Sequence, residues 1–276
     1  MHDLKIFILV YNRCNVIPTL NVLKKCGVQK DDIYLVVGND DPQFNSVVQN
    51  FNDYNVLEFD KQDVADAVDS IGSYRNTLKL CTYARVFIDD YAKQIGLKYV
   101  CIIFDDIKSI KYRYIDNGVV RSVDAFNLPE ILKQYIELLN CNDNVYMVGP
   151  PGSSAYIGCK PESMYKVPTH YANMLIYSVN KPIGPYSANV LEDMTIILNN
   201  SIIGHIGLFP MGVQINCRDA GATDDAYCGI SIAEYLQQYA IMTRTQINPD
   251  NIKISYVNFI PKILSEKFRK EDNQCG

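Results

Sequence analysis

Short apolar runs alternate with helical stretches through the first 104 residues, and this alternation constrains the fold more than any other feature. A short run of apolar, β-branched and aromatic residues is typical of a strand buried on both faces. The predicted strands are 5–11, 33–37, 56–59 and 99–104, and the predicted helices between them are 17–26, 44–52 and 74–95. Since strands that alternate with helices pair in parallel through right-handed crossovers, we expect a doubly wound open sheet.

The pattern changes after Asp106. Residues 111–121 alternate in polarity around an Asp-Asn-Gly turn at 116–118, which predicts a β-hairpin. Further strands are predicted at 145–148, 174–179, 202–209 and 252–260, and further helices at 128–139, 190–200 and 231–243. The chain has no linker rich in Ser, Gly or Pro and no internal repeat. We therefore expect residues 1–276 to form a single α/β domain, a Rossmann-like mixed sheet with helices on both faces.

The composition narrows the class of protein. The 26 Lys and Arg residues stand against 31 Asp and Glu, and this net charge of −5 disfavours uniform coating of nucleic acid but leaves a local basic groove open. No apolar run approaches the roughly 18 to 20 residues that span a bilayer. The N-terminus has no signal-peptide pattern, so we expect a cytoplasmic protein with no membrane partner. The nine cysteines are scattered singly without zinc-ligand spacing, which favours reduced packing residues.

Two adjacent carboxylates, Asp105 and Asp106, directly follow the predicted strand at 99–104. In a doubly wound sheet the ligand crevice lies outside the carboxyl ends of the strands. Adjacent carboxylates repel each other unless a cation relieves the repulsion, and oxygen ligands suit Mg²⁺ or Mn²⁺. The pair therefore predicts a divalent metal that carries a diphosphate, with solvated turn residues as the alternative explanation.

Candidates for phosphate and proton chemistry lie elsewhere in the chain. Neither a P-loop nor a GxGxxG after the first strand is present, so ordinary nucleotide kinases and dinucleotide dehydrogenases lose support. Arg75, at the start of a predicted helix, is suited to binding a diphosphate, and a surface arginine explains it equally well. Glu192 and Asp193 lie at the start of another predicted helix. A carboxylate there can take a proton from an acceptor hydroxyl, although the helix dipole alone also favours acidic residues at this position.

The order of these motifs resembles the GT-A class of nucleotide-sugar glycosyltransferases. The shared motifs are Tyr11-Asn12-Arg13, Asn39-Asp40-Asp41, Arg75-Asn76, Phe104-Asp105-Asp106, and Gly184-Pro185-Tyr186 leading into Leu191-Glu192-Asp193. The details are most similar to the TET/JBP-associated glycosyltransferases, which are encoded by phages and by organisms with modified DNA bases. Those enzymes attach sugars to hydroxymethylated pyrimidines.

The resemblance implies a GT-A-like fold and transfer of a sugar from a UDP-sugar with Mn²⁺ or Mg²⁺. Residues 1–110 would form the nucleotide-sugar-binding half and residues 111–276 the acceptor-binding half. By motif position, the nucleoside would be held by Tyr11, Asn12, Arg13 and Asp40, the diphosphate or sugar by Arg75, the ribose by Asp105 and the metal by Asp106. Asp193 would be the general base with Glu192 beside it. The acceptor would be DNA with a modified pyrimidine, in the host cytoplasm if the protein is viral.

Two other functions are compatible with the motifs. A nucleotidyltransferase would use a similar sheet and carboxylate pair to attack the α-phosphate of a nucleoside triphosphate, but residues 11–14 lack the glycines of its usual phosphate loop. A non-catalytic nucleotide-sugar-binding module is suggested by Phe104, which replaces the first Asp of the usual Asp-x-Asp motif.

Two segments are candidates for the acceptor site. One is the polar loop 221–227, and the other is a group of interleaved basic and aromatic residues, namely Lys108, Lys111, Tyr112, Arg113 and Tyr114. Such a group can hold a DNA backbone and a flipped base. An ordinary exposed loop and a charged hairpin face explain the two segments equally well.

Overall fold

The computed structural model describes residues 2–67, 81–152, 156, 163–166, 173–181, 196–197, 199–201, 203–217, 252–257 and 260–265. The strands are β1 Leu4–Val10, β2 Ile33–Gly38, β3 Asn55–Phe59, β4 Tyr99–Phe104, β5 Ile107–Asp116, β6 Val119–Asp124, β7 Val145–Val148, β8 Tyr165–Lys166, β9 Met174–Ser178, β10 Ile206–Pro210, β11 Val213–Cys217, β12 Ile252–Val257 and β13 Ile260–Ser265. The helices are α1 Pro18–Lys25, α2 Phe44–Asn50, α3 Lys61–Ala67, α4 Cys81–Gln94 and α5 Leu128–Asn140.

An eight-stranded mixed sheet has the strand order β3-β2-β1-β4-β9-β7-β10-β8. The first four strands in this order are parallel, while β9 is antiparallel to both β4 and β7. The register pairs Leu9 with Phe104, Val10 with Val37, and Gly38 with Phe59. The carboxyl ends of β1, β2, β3 and β4 therefore line up, and the loops that follow them meet at one edge of the sheet.

Both faces of the sheet are covered by helices. In β1, Ile6 and Ile8 pack into a cluster that contains apolar residues of α1 and α5. The alternate residues Phe7 and Leu9 pack on the opposite face, in a cluster with α4. A strand buried on both faces needs an apolar residue at nearly every position, which explains why the strands were recognisable as continuous apolar runs. The expected α/β mixed sheet with helices on both faces is confirmed.

A smaller antiparallel sheet with the order β11-β5-β6 stands beside the main sheet. The predicted hairpin is confirmed: Asn117 and Gly118 join β5 to β6 with φ values of 50° and 77°. Positive φ at both central residues is typical of the two-residue turns that match the twist of a hairpin. Strand β5 begins at Ile107, directly after Asp106, so the small sheet grows out of the loop at the carboxyl end of β4.

Several boundaries differ from the sequence-based predictions. The strand predicted at 202–209 begins only at Ile206, because a turn at residues 203–204, with Gly204 at a φ of 83°, follows the helical residues 199–201. The single strand predicted at 252–260 is instead two strands, β12 and β13, which pair with each other in antiparallel register. Strands β8 and β11 and helix α3 were not predicted. Residues 74–80, 190–195 and 231–243 of predicted helices lie outside the described residues.

The cysteines that the structure describes are free thiols, namely Cys14, Cys26, Cys81, Cys101, Cys141 and Cys217. In the same part of the chain, no helix is both long and apolar enough to cross a bilayer.

Candidate active site

The loop after β1 is tied to the end of β4 by an ion pair. Nε of Arg13 donates to Oδ2 of Asp105 at 2.6 Å, and the backbone N–H of Tyr11 points to the same oxygen at 3.5 Å. The side chains of Arg13 and Asp105 are only 25% and 14% exposed. The structure thus brings three of the predicted site residues together at the carboxyl edge of the sheet.

Asp105 sits in an environment that disfavours its charge. Burial raises the pKa of Asp105 to about 6, partly offset by the Arg13 guanidinium and reinforced by the neighbouring Asp106 carboxylate. An acid with this pKa is largely ionised at neutral pH, and it then presents a poorly solvated acceptor to any hydroxyl group that enters the site.

Asp41 joins the loop after β2 to the loop after β1. Its Oδ2 accepts the backbone N–H of Asn12 at 2.8 Å, and its Oδ1 accepts the backbone N–H of Gln43 at 2.8 Å. Asn12 has a φ of 54°, a left-handed conformation that Asn tolerates better than most residues. The carboxylate of Asp41, a residue that is only 5% exposed, therefore holds the two loops together through these hydrogen bonds. The neighbouring Asp40 is more accessible to solvent.

Lys61 forms a contact at this edge that the sequence analysis missed. Its Nζ lies 2.6 Å from Oδ1 of Asp40 and 5.1 Å from the centroid of the Tyr11 ring. Lys61 follows β3, whose carboxyl end lines up with that of β2. Its position after a predicted parallel strand is the sequence signal that could have identified it as a residue of this edge. The Lys61 side chain is only 6% exposed, whereas that of Asp40 is 33% exposed.

Thr19, the second residue of α1, holds the backbone on both sides of the Asp105-Asp106 pair. Its hydroxyl donates to the carbonyl oxygen of Phe104 at 2.6 Å and accepts the N–H of Ile107 at 3.0 Å. Its own N–H donates to the carbonyl oxygen of Asp105 at 3.4 Å. One fully buried side chain therefore shapes the loop that presents the two carboxylates.

Asp106 faces the end of β11. Burial, reinforced by the Asp106 charge, raises the pKa of the Cys217 thiol to about 12. Asn173 donates from Nδ2 to the Cys217 sulfur at 2.8 Å, and the carbonyl oxygen of Asn173 accepts the N–H of Phe104 at 3.0 Å. Asn173, directly before β9, thus links the end of β4 to the end of β11 beside the Asp105-Asp106 loop.

The donor set at this edge fits a divalent cation that is shared with a phosphate ligand. Asp105 is paired with Arg13, and Asp106 follows it directly in the loop after β4. Among the described residues no group of three or more His, Cys, Asp or Glu side chains is arranged to hold a metal by itself. Mg²⁺ is commonly held by one or two carboxylates together with substrate phosphates and water, so two adjacent carboxylates at this edge fit a cation that a phosphate ligand helps to hold.

Several of the residues predicted for the diphosphate, the general base and the acceptor are not among those that the structure describes. Arg75, Glu192, Asp193 and the loop 221–227 lie outside the described residues. In the hairpin, Arg113 stacks on Tyr156 at 4.2 Å and also donates to the carbonyl oxygen of Met211. Tyr112 packs against Phe126, and its hydroxyl bonds to Asn127. Of the five basic and aromatic residues predicted there, the exposed ones are Lys108 and Tyr114.

A cavity of about 720 Å³ lies between the β5–β6 hairpin and α5. Its lining includes Arg113, Tyr114 and residues of α5, but none of the residues that the sequence analysis assigned to the donor or the metal. The cavity is therefore separate from the carboxyl edge at which those residues meet.

Comparison with solved structures finds similar proteins at low identity. One is glucosyl-3-phosphoglycerate synthase from Mycobacterium tuberculosis in complex with Mn²⁺, UDP-glucose and phosphoglyceric acid (11% identity, 95% of this chain and 86% of that chain, TM-score 0.42). Another is the mannosyltransferase PcManGT from Pyrobaculum calidifontis in complex with GDP-Man and Mn²⁺ (12% identity, 75% and 54%, TM-score 0.43). A mycobacterial protein is also similar (12% identity, 95% and 83%, TM-score 0.46).

Comparison with curated proteins finds no match. The family described as TET-Associated Glycosyltransferase matches residues 4–208, which is more than half of the 276-residue chain. This match agrees with the resemblance in the motifs and favours a glycosyltransferase over a nucleotidyltransferase or a non-catalytic module. The chain belongs to the TET-associated glycosyltransferase family and is a glycosyltransferase.

Proposed function

We propose that the protein transfers a sugar from a UDP-sugar to the hydroxyl group of a hydroxymethylated pyrimidine in DNA, with Mn²⁺ or Mg²⁺ bound at Asp106. The observation that carries the proposal is the meeting of Tyr11, Asp40, Asp105 and Asp106 at one edge of the sheet, in a member of a glycosyltransferase family. An aromatic ring, carboxylates for the nucleoside and a carboxylate for a cation are the groups that a nucleoside diphosphate sugar requires.

The donor nucleoside would bind between the loops after β1, β2 and β4. The Tyr11 ring offers a stacking surface for the base, and the Asp40 carboxylate accepts hydrogen bonds from its edge. Asp105, held in place by Arg13, accepts hydrogen bonds from the ribose hydroxyls. Because Asp105 is already paired and largely desolvated, little rearrangement is needed when the ribose enters.

The diphosphate would lie beyond Asp105, toward Asp106. When bound there, a divalent cation neutralises the charge that develops on the departing diphosphate. Asp106 would supply one oxygen ligand to the cation, with the remaining ligands coming from the diphosphate and water. Arg75 would bind the same diphosphate through its guanidinium, a group whose geometry suits phosphate oxygens.

The acceptor would approach from the half formed by residues 111–276. Asp193 would take the proton from the acceptor hydroxyl, and Glu192 would lie beside it. The family resemblance supports a hydroxymethylated base in DNA as the acceptor, which would place the protein in the cytoplasm of a cell or of a phage-infected host. The exposed Lys108, two residues after Asp106, supports contact with a DNA backbone, and the exposed Tyr114, farther along β5, offers a ring for an unstacked base.

A transfer assay tests this proposal directly. The protein is incubated with Mn²⁺, UDP-glucose or UDP-N-acetylglucosamine, and duplex DNA that contains 5-hydroxymethylcytosine or 5-hydroxymethyluracil. Mass spectrometry of the digested DNA should show one added sugar on the modified base, and none on unmodified DNA.

Asp193→Asn is the matched variant for this assay. It should retain donor binding and lose transfer, since an amide cannot take the acceptor proton at neutral pH. Full transfer by Asp193→Asn would remove the base assignment. Transfer only to a small hydroxyl compound would contradict the DNA acceptor, and donor consumption with other nucleotide sugars alone would contradict the UDP-sugar.

A further inference from the structure

We propose that the cavity between the β5–β6 hairpin and α5 is a second ligand site, which binds a small organic carboxylate with an apolar or aromatic body. The groups that hold the carboxylate are the Arg113 guanidinium and the Tyr135 hydroxyl. Neither group belongs to the candidate donor site, so this inference does not depend on the proposed function.

The size and the walls of the cavity suit a small molecule. Its volume of about 720 Å³ lies within the range of about 300–1,000 Å³ that is typical of ligand pockets. The walls come from the hairpin, α5, the start of β8 and the turn between β10 and β11. Most of the lining residues are apolar or aromatic, among them Ile115, Val120, Leu138, Met164 and Met211. The apolar body of a ligand would therefore be well buried there.

Arg113 brings a positioned cation to this cavity. Its guanidinium lies over the Tyr156 ring, 4.2 Å from the ring centroid, and its Nη1 donates to the carbonyl oxygen of Met211 at 3.2 Å. Among the residues that the structure describes, no Asp or Glu forms an ion pair with Arg113. A guanidinium has five N–H donors, so it retains several that can bind an anion.

Tyr135 adds a hydroxyl group that has no hydrogen-bond partner in the described part of the chain. The residue is only 4% exposed, and burial, reinforced by Tyr156, raises the pKa of the hydroxyl, which therefore stays protonated at neutral pH. Tyr156 thus interacts with both Arg113 and Tyr135. Because a buried hydroxyl without a hydrogen bond is unfavourable, a ligand oxygen that accepts its proton would be stabilised.

The charge of the cavity favours an anion with a single charge. Arg113 is the one cation among the described lining residues. It neutralises a carboxylate, whereas a phosphate dianion would keep an unpaired charge at a largely apolar site. Glu137 also lines the cavity, but it is exposed, so water screens its repulsion of a bound carboxylate. These charges fit a carboxylate better than a phosphate monoester.

The experiment compares three probes that share one aromatic body. 4-Phenylbutyrate is the monoanion, 4-phenylbutan-1-ol is its neutral analogue, and 4-phenylbutyl phosphate is the dianion. Titrations of the full chain followed by ligand-observed NMR give the three values of Kd. The wild-type protein should bind the carboxylate at least about tenfold more tightly than the alcohol or the phosphate, as expected for hydrogen bonds between charged groups.

The thiol of Cys141 reports where the probe binds. Cys141 lines the cavity and is exposed, so it should react with iodoacetamide. A saturating concentration of 4-phenylbutyrate should slow this reaction, as measured by peptide mass spectrometry. An unchanged rate of alkylation would place the probe elsewhere and overturn the proposal.

Two variants remove the proposed contacts one at a time. Arg113→Met should weaken 4-phenylbutyrate by about tenfold or more with little change for the alcohol, so that the preference for the acid collapses. Tyr135→Phe should also weaken the carboxylate, by about tenfold or less. It should not lower Tm in the absence of ligand, because the hydroxyl that it removes has no partner in the free protein. A merely structural tyrosine would change Tm and leave the preference intact.

Arg121→Met is the matched control. Arg121 is an exposed arginine of the same hairpin that pairs with Asp116 at 2.7 Å, and it does not line the cavity. Its loss should leave the preference for the acid equal to that of the wild-type protein. Because the preference is a ratio measured within one variant, a general loss of folded protein does not change it.

The remaining outcomes separate this inference from the proposed function. Equal binding of acid and alcohol, tighter binding of the phosphate, or a preference that survives Arg113→Met would each overturn the carboxylate site. UDP with Mn²⁺ should not displace 4-phenylbutyrate, because the cavity is separate from the carboxyl edge of the sheet. Displacement by duplex DNA that contains 5-hydroxymethylcytosine would assign the cavity to the acceptor, which overturns the second site and leaves the proposed function standing.

Discussion

At the scale of single residues, the candidate site depends on side chains that shape the backbone as much as on groups that would touch a substrate. Asp41 fixes the loop that carries Tyr11 and Asn12, and Thr19 fixes the loop that carries the two carboxylates. Neither has a role in the proposed chemistry. Their substitution should therefore affect binding only through the geometry of the loops.

Thr19→Val tests this positioning role. Valine matches threonine in shape but leaves the N–H of Ile107 and the carbonyl oxygen of Phe104 without their buried partner, which should cost about 1–3 kcal/mol of unfolding free energy. Mn²⁺-dependent binding of UDP should weaken as the loop relaxes. Urea unfolding and calorimetry measure the two effects, and Thr19→Ser, which keeps the hydroxyl, should restore both. Wild-type affinity for UDP in Thr19→Val would contradict the positioning role.

Asp106→Asn tests the metal assignment. An amide oxygen carries no net charge and is a much weaker ligand for a hard divalent cation than a carboxylate oxygen. The increase in UDP affinity that Mn²⁺ produces should therefore fall by at least about tenfold, or about 1.4 kcal/mol. The melting temperature without ligand should not fall, because the substitution relieves repulsion with Asp105. An unchanged response to Mn²⁺ would exclude Asp106 as a ligand.

At the scale of elements, a half-buried carboxyl group joins helix α4 to strand β9. Asp89 accepts a hydrogen bond from the Tyr177 hydroxyl, and burial raises the pKa of Asp89 to about 6, partly offset by that hydrogen bond. In the unfolded chain the same group titrates near 3.8. Between these two values the folded protein holds a proton that the unfolded chain has lost, so stability falls as pH rises through this window.

Asp89→Asn should remove this pH dependence. The wild-type protein should lose up to about 3 kcal/mol of unfolding free energy between pH 4 and pH 6 through Asp89, and no more above that range. The asparagine variant keeps a neutral group that can accept the Tyr177 hydrogen bond, so its stability should exceed that of the wild-type protein at pH 7 and approach it at pH 4. Urea unfolding at several pH values measures the difference. A difference independent of pH would contradict the assignment.

The elements also show why some features could be predicted from the sequence and others could not. Strands β1, β2 and β4 are buried on both faces, so burial alone produced the continuous apolar runs. Strand β11 buries only Val213 and Ile215 and alternates them with polar residues over five positions, a signal too short to stand out. Helix α3 has seven residues and depends on Asp60, whose Oδ1 accepts the N–H of Gln62 at 2.7 Å.

The same reasoning applies to the residues of the site. Tyr11 ends a predicted parallel strand, and Asp40 and Asp105 follow two others, so these positions were sufficient to place the three residues at the carboxyl edge of the sheet. Thr19 is 85 residues from its partner Phe104, and the partner of Lys61 lies on a different loop. Contacts over such separations leave no local pattern, so only the register of the sheet reveals them.

At the scale of the whole molecule, the main sheet presents the carboxyl ends of four parallel strands at one edge, and the loops from all four contribute to the candidate site. A ligand that binds there contacts β1, β2 and β4 at once and binds only when these strands are correctly paired. Nucleotide binding should therefore stabilise the native state as a whole by mass action.

Thermal unfolding with nucleotides measures this coupling. At a ligand concentration of about 100 Kd the stabilisation is about 2.7 kcal/mol. For a chain of this size each kcal/mol raises Tm by roughly 2–4 °C, so UDP with Mn²⁺ should raise Tm by roughly 5–10 °C. Mn²⁺ alone should give a much smaller shift, because the cation then lacks the diphosphate oxygens. A shift produced only by nucleoside triphosphates would contradict the proposed donor, because a nucleoside diphosphate sugar carries only two phosphates.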